Sequence, residues 1–237
     1  MQLVMEHILT INACELTFIQ ISPGEFNMGS DHGLPIEIPT HKVIIENEYF
    51  LLDSLVTQKL WSRVMASNPS KFQLSNEHPV DSVSWDEAVL FCQALSAASQ
   101  RVIRLPSEAE WEYACRAATT TEYHFGSDSK NLLDYAWFDL NTMEATRAIK
   151  RKLPNAWGLY DMNGNLWEWC LDTWASDYHS GPLTAKPRLT HMDKQERRVI
   201  RGGAWDSDHF RCRSAYRSQE GKNINNPKIG FRLVLEA

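Results

Sequence analysis

The chain has 237 residues, of which 43% are hydrophobic, 11% aromatic and 23% charged, so it carries enough apolar surface for a substantial core and intrinsic disorder is excluded. A formal net charge of -6 and a pI near 5.8 exclude a nucleic-acid partner bound through clustered Lys and Arg. No apolar run approaches the ~20 residues of a membrane span, and the first residues lack a basic region followed by a small-residue cleavage site, which predicts a cytoplasmic protein. One domain over residues 1–237 is the expectation for this length.

In chain order, LTFIQISPGEFNMGS (16–30) alternates apolar and polar residues around Pro23-Gly24 and predicts a β-hairpin. HKVIIENEYFLLDSLV (41–56) predicts a third strand. Thr57 caps a short amphipathic helix, QKLWSRVM, which ends before Asn68-Pro69 because the residue before proline resists helical geometry. Ser84 with Glu87, and Ser107 with Glu110, are capping boxes that open two further helices. Ala88, Phe91, Cys92 and Leu95 form the buried stripe of the first, and Trp111, Ala114 and Cys115 the inner face of the second. From Thr119 onward, short strands and ordered loops are predicted, the loops being either functional or tied down by ions and side chains. The basic stretch Lys186 to Arg201, interrupted by Asp193 and Glu196, reads as a solvated loop.

The five cysteines, Cys14, Cys92, Cys115, Cys170 and Cys212, are odd in number, scattered, and free of any C-x-x-C pair, so they read as reduced thiols. No two histidines lie four residues apart, which removes the usual helical metal motifs.

Five blocks stand in order: FNMGS (26–30), HPVDSVSWDEAVLFC (78–92), RLPSEAEWEYACR (104–116), NAWGLYDMNGNLWEWC (155–170), and RGGAW (201–205) with IGFRLV (229–234). Together they resemble the formylglycine-generating enzyme family, or sulfatase-modifying factors, from about Phe18 to Val234. The resemblance implies an irregular α+β fold, C-type-lectin-like, with a few helices and short antiparallel strands. It also implies oxidation of a sulfatase cysteine by oxygen at a copper ion held between two thiolates. Counted from the double glycine, those two cysteines fall on Ser207 and Cys212; counted back from Arg217-Ser218-Gln219, neither falls on a thiol. Ala204 stands where the family has serine. A hydroxyl is a poor Cu(I) ligand, so the copper pair is absent on either count.

The resemblance further implies a structural calcium site at the Asp161 side chain, the Gly164 and Leu166 carbonyls and the Glu168 carboxylate. The other reading of these residues is an Asn163-Gly164 turn with Glu168 in a buried salt bridge. Trp137 stands where the family's other calcium site needs an oxygen. Trp157, Trp167 and Trp169 read as packing under long loops, and Arg104, Glu108 and Glu112 as capping and ion-pair residues.

Within 205–228, Trp205, Asp206, Asp208, His209, Phe210, Arg211, Tyr216, Gln219, Glu220, Lys222 and Asn223 mix rigid aromatic area with adaptable polar groups, as binding surfaces do. Two functions follow. The first is a non-catalytic scaffold presenting this segment to a protein or small ligand, similar to the variable proteins of diversity-generating retroelements. The second is an oxygen-dependent metalloenzyme holding copper or iron through Cys212 with His209, Asp206 or Asp208.

Overall fold

The computed structural model describes residues 5–11, 13–190 and 196–237. Residues 191–195, the middle of the basic stretch, lie outside this description.

The chain opens with β1 (Glu6–Ile11) and β2 (Cys14–Ile21), which pair antiparallel from Glu6↔Ile19 to Ile11↔Cys14. Strand β3 (Gly24–Met28) pairs with β4 (His41–Ile45) in a separate two-stranded sheet, so the hairpin expected around Pro23-Gly24 does not form. The reason is non-local. Both edges of β2 are taken, one by β1 and the other by β5 (Tyr49–Leu52), so no ladder remains for β3. The turn sends the chain to a new layer. The single strand expected over 41–56 is likewise two, divided at 46–48 and placed in different sheets.

Helix α1 (Gln58–Met65) begins where Thr57 Oγ1 accepts the Leu60 N–H and ends at Ala66 in the left-handed region, φ 58°. Helix α2 (Trp85–Ser99) carries the Ser84/Glu87 capping box and buries Ala88, Phe91, Cys92 and Leu95. After β6 (Ile103–Arg104), the Ser107/Glu110 box opens α3 (Glu108–Arg116). Every residue of α3 except Tyr113 is buried, a far wider buried surface than the stripe of Trp111, Ala114 and Cys115 implies. The cause is charge pairing: Glu108, Glu110, Glu112 and Arg116 all find partners inside the protein.

From Thr119 to Asn165 the helical structure is a single 3-10 turn, Ser129–Asn131, running into the short α4 (Leu132–Tyr135). Side chains replace the missing ladders: the Asn155 amide donates to Ala114 O at 2.7 Å, and its oxygen accepts the N–H groups of Trp157 and Leu159. Strands β7 (Trp167–Thr173), β8 (Arg197–Arg201), β9 (Arg217–Gly221) and β10 (Ile229–Gly230) then form a sheet in the order β10-β7-β8-β9. Strand β11 (Val234–Glu236) returns between β5 and β6, closing the sheet β1-β2-β5-β11-β6.

The largest core cluster stacks Trp61 on Phe91 at 5.2 Å, with Phe231 edge-on to both. A second gathers Tyr49, Trp111, Cys170 and Val199, and a third packs Tyr123, Leu132, Ala136 and Phe138 around Cys212. Among the described residues no helix is long and apolar enough to cross a membrane.

Candidate functional site

Four of the five arginines between 201 and 232 are buried, and each is held by a glutamate from a distant part of the chain. Arg213 grips Glu37 with two hydrogen bonds of 3.0 and 2.7 Å. Arg217 grips Glu108 at 2.8 and 2.9 Å, and Arg232 grips Glu168 at 2.6 and 2.8 Å. Arg201 donates to Glu112 and to the Ala215 and Tyr216 carbonyls. Glu108 and Glu112 lie one turn apart on α3, so one helix face receives two of these arginines. Although burial alone would raise it, Arg116 and Arg201 hold the Glu112 carboxyl below its ordinary range. Bidentate guanidinium–carboxylate pairs fix orientation as well as position, and they set the backbone of 201–232 on the scaffold. Sequence reading found Arg104, Glu108 and Glu112 as ion-pair residues but missed Glu37 and the inward arginines, whose partners are too far along the chain to leave a local signal.

The turn Gly202-Gly203 has positive φ at both residues, and a Cβ on Gly203 would stand 2.8 Å from Cys212 Sγ. Glycine lets this turn close directly onto the thiol. Cys212 is fully buried, and desolvation followed by the nearby Asp208 charge pushes its thiol well above the ordinary range. Ser207 is buried as well, its Oγ accepting the Ala204 N–H at 2.9 Å. Asp208 caps the 3-10 turn His209–Cys212 through the Arg211 N–H, Asp206 pairs with Lys228 at 2.5 Å, and the His209 side chain is exposed. Among the described residues no three His, Cys, Asp or Glu side chains are grouped to hold a metal ion.

The outward side of the segment is aromatic. Phe210 meets Tyr216 edge-on at 5.8 Å, Tyr216 lies 5.8 Å from Trp167, and Trp205 takes the edge of Phe72 at 5.4 Å. Phe72 is a member that sequence reading missed. Trp167 and Trp169 are core residues, and Trp157 packs edge-on to Tyr113, in keeping with packing roles.

The eleven expected ligand residues divide by environment. His209, Phe210, Arg211 and Asn223 are exposed, and Trp205, Asp206, Asp208 and Tyr216 are half-buried around them. Gln219 turns away: it sits opposite buried Val199 in the β8–β9 register, with Oε1 buried and unpartnered. Glu220 accepts from Gly221 N and Asn226 Nδ2, folding the next loop, and Lys222 pairs with Glu196 while its carbonyl accepts two N–H groups at the start of α2.

At the expected calcium turn, both Glu168 oxygens are engaged by Arg232, which also donates to Leu52 O and Tyr160 O. Asp161 accepts the Lys150 N–H at 2.9 Å and the Asn165 amide at 3.4 Å, and burial pushes its carboxyl up to about 6. With both Glu168 oxygens taken by Arg232, the donor set as arranged does not fit the ion, and Arg232 supplies the positive charge at Glu168. Trp137 lies beside Gly164, its carbonyl accepting the Asn165 N–H.

Sheet order, buried arginine pairs and aromatic face together define an irregular α+β scaffold with a fixed C-terminal segment. The chain belongs to the sulfatase-modifying factor family: the model for the sulfatase-modifying factor enzyme 1-like domain matches residues 12–237. The formylglycine-generating enzyme of Bos taurus is 33% identical over 175 residues, covering 68% of this chain and 44% of that protein. Serine/threonine-protein kinase pkn1 of Chlamydia pneumoniae is 29% identical over 244 residues, covering 91% of this chain and 37% of that protein. The chain thus spans less than half the length of either relative. Among solved structures, Treponema denticola variable protein 1 superposes with a TM-score of 0.88 at 27% identity, covering 98% of this chain and 99% of that one.

Proposed function

We propose that this chain is a non-catalytic binding scaffold that displays the outward residues of 205–228 to a protein or small ligand, as a variable protein of a diversity-generating retroelement does. One observation carries the reading: within a single segment, Arg213, Arg217 and Cys212 point inward and are fixed, while His209, Phe210, Arg211 and Asn223 stand exposed. Exposed positions of this kind change at little cost to stability, whereas buried ion pairs do not. The complete burial of Cys212 among Tyr123, Leu132, Ala136 and Phe138 supports the same reading, because a reactive thiol needs access to its substrate. The likeness to a variable protein along nearly the whole of both chains is further support.

The test is simultaneous randomisation of His209, Phe210, Arg211 and Asn223 in the full chain. Most clones are expected to keep the wild-type melting temperature within a few degrees and to yield new binders on selection. Formylglycine formed from a Cys-x-Pro-x-Arg peptide with copper and oxygen, or iron retained stoichiometrically through dialysis, overturns the reading in favour of an oxygen-dependent metalloenzyme.

A further inference from the structure

Strand β3 has a partner strand on one side only, and the alternation of an antiparallel pair tells which of its backbone groups are left over. Ile44, opposite Glu25, donates its N–H to Leu183 O at 3.0 Å and accepts the Ala185 N–H at 3.1 Å, both on the side away from β3. Glu25 and, two residues on, Asn27 therefore turn their N–H and C=O groups to the free edge. Gly29 comes next in the same alternation, and there α3 fills the edge: the Gly29 N–H donates to Glu112 at 2.9 Å and its carbonyl accepts from Arg116 at 3.0 Å. Among the described residues the backbone groups of Glu25 and Asn27 have no such partner. A groove runs along these groups. A cavity of about 310 Å³ is lined by Glu25, Phe26 and Asn27 on one side and by Tyr113, Arg116 and Thr119 on the other. Asn27, Arg116 and Thr120 also line a second cavity of about 460 Å³, which continues past Gly29 to Asp31 and Glu122.

We infer that this edge is a second binding site, which takes an extended peptide as a third strand beside β3, with an apolar peptide side chain against Phe26 and Tyr113 and no acidic one near Asp31 and Glu122. The free groups recur at every second residue, ~7 Å apart, which is the repeat of a peptide backbone in a strand. From Glu25 to Gly29 the edge spans ~14 Å, enough for a strand of about five residues. Phe26 and Tyr113 meet at 5.3 Å and give one end an apolar wall. At the other end the guanidinium groups of Arg116 and Arg213 are spent on Glu112 and Glu37, while Asp31 and Glu122 are exposed, so an anionic ligand finds no unpaired cation there. Glu25 and Lys42 neutralise each other at 2.7 Å on the outer rim. None of His209, Phe210, Arg211 and Asn223 lines either cavity, so the site is separate from the display surface and does not depend on its role.

The probe is a displayed library of linear seven-residue peptides, selected against the full chain. Enriched peptides are expected to lose roughly tenfold or more in affinity for Asn27→Pro, whose ring replaces the free N–H and crowds the edge. They are expected to bind Asn27→Ala as they bind the wild type, because that variant keeps both backbone groups. The Asn27 N–H makes no bond within the fold, so Asn27→Pro is expected to keep its melting temperature, and a circular-dichroism melt checks this. Methylating the peptide nitrogens one at a time reads the same contact without touching the protein: binding should weaken at alternate residues and not at those between. A selection in which no clone is sensitive to Asn27→Pro, or a methylation series without that alternation, overturns the inference. Clones indifferent to Asn27→Pro but lost with Phe210→Ala count against the edge and leave the scaffold reading intact.

Discussion

Arg213 and Glu37, 176 residues apart in sequence, meet in a buried bidentate pair that ties the C-terminal segment to the 3-10 turn Pro35–Glu37. The Arg213 guanidinium also lies over the Phe210 ring at 3.9 Å. The same side chain therefore fixes the scaffold beneath and orients an exposed aromatic above.

Removing either partner leaves the other as an uncompensated buried charge. Arg213→Ala or Glu37→Ala is expected to lower unfolding free energy by ~3–5 kcal/mol. The double variant is expected to cost less than the sum of the two, because it leaves no orphaned charge. Urea denaturation of the four proteins measures both effects.

All five cysteines are buried and free. In the native protein none is expected to react rapidly with a thiol reagent such as dithionitrobenzoate, and all five are expected to react in denaturant. Fast labelling of Cys212 in the native state would contradict the packed cluster around it.

At the turn before β7, Arg232 is expected to make stability independent of calcium. Excess Ca²⁺ or chelator should leave the melting temperature unchanged, whereas a bound ion at a hundredfold excess over its dissociation constant would add about 2.7 kcal/mol. A calcium-dependent rise would mean that Glu168 releases Arg232 to serve the ion.

Buried Asp172 receives the N–H groups of Glu108 and Arg188, both at 2.7 Å, and burial followed by the Glu108 charge pushes its carboxyl up to about 7 from 3.8. Between these values the folded state holds a proton that the unfolded state has lost. Stability from this group is thus full at low pH and falls as pH rises towards 7, by on the order of a few kcal/mol. Asp161, raised to about 6, acts in the same direction, whereas Glu112, held low, loses its contribution only under more acid conditions. Melting temperatures from pH 4.5 to 8 should show a shallower decline in Asp172→Asn than in the wild type.

The sequence by itself determined what is local. The capping boxes at Ser84 and Ser107 operate within three residues, so the starts of α2 and α3 were legible, as was the buried stripe from Ala88 to Leu95. The family words carried the fold class, and between Arg201 and Arg232 the sequence holds one cysteine, Cys212, where the resemblance implies two. Only the tertiary structure decided which edges pair, so Pro23-Gly24 redirects the chain once β1 and β5 have taken both sides of β2. It likewise decided which residues of 205–228 face water. Gln219 and Phe210 look alike as candidates in the sequence, yet the β8–β9 register turns Gln219 towards Val199 while the arginine pairs hold Phe210 outward. Strand register and buried charge pairing are set by partners up to 176 residues away, and no local pattern encodes a partner at that distance.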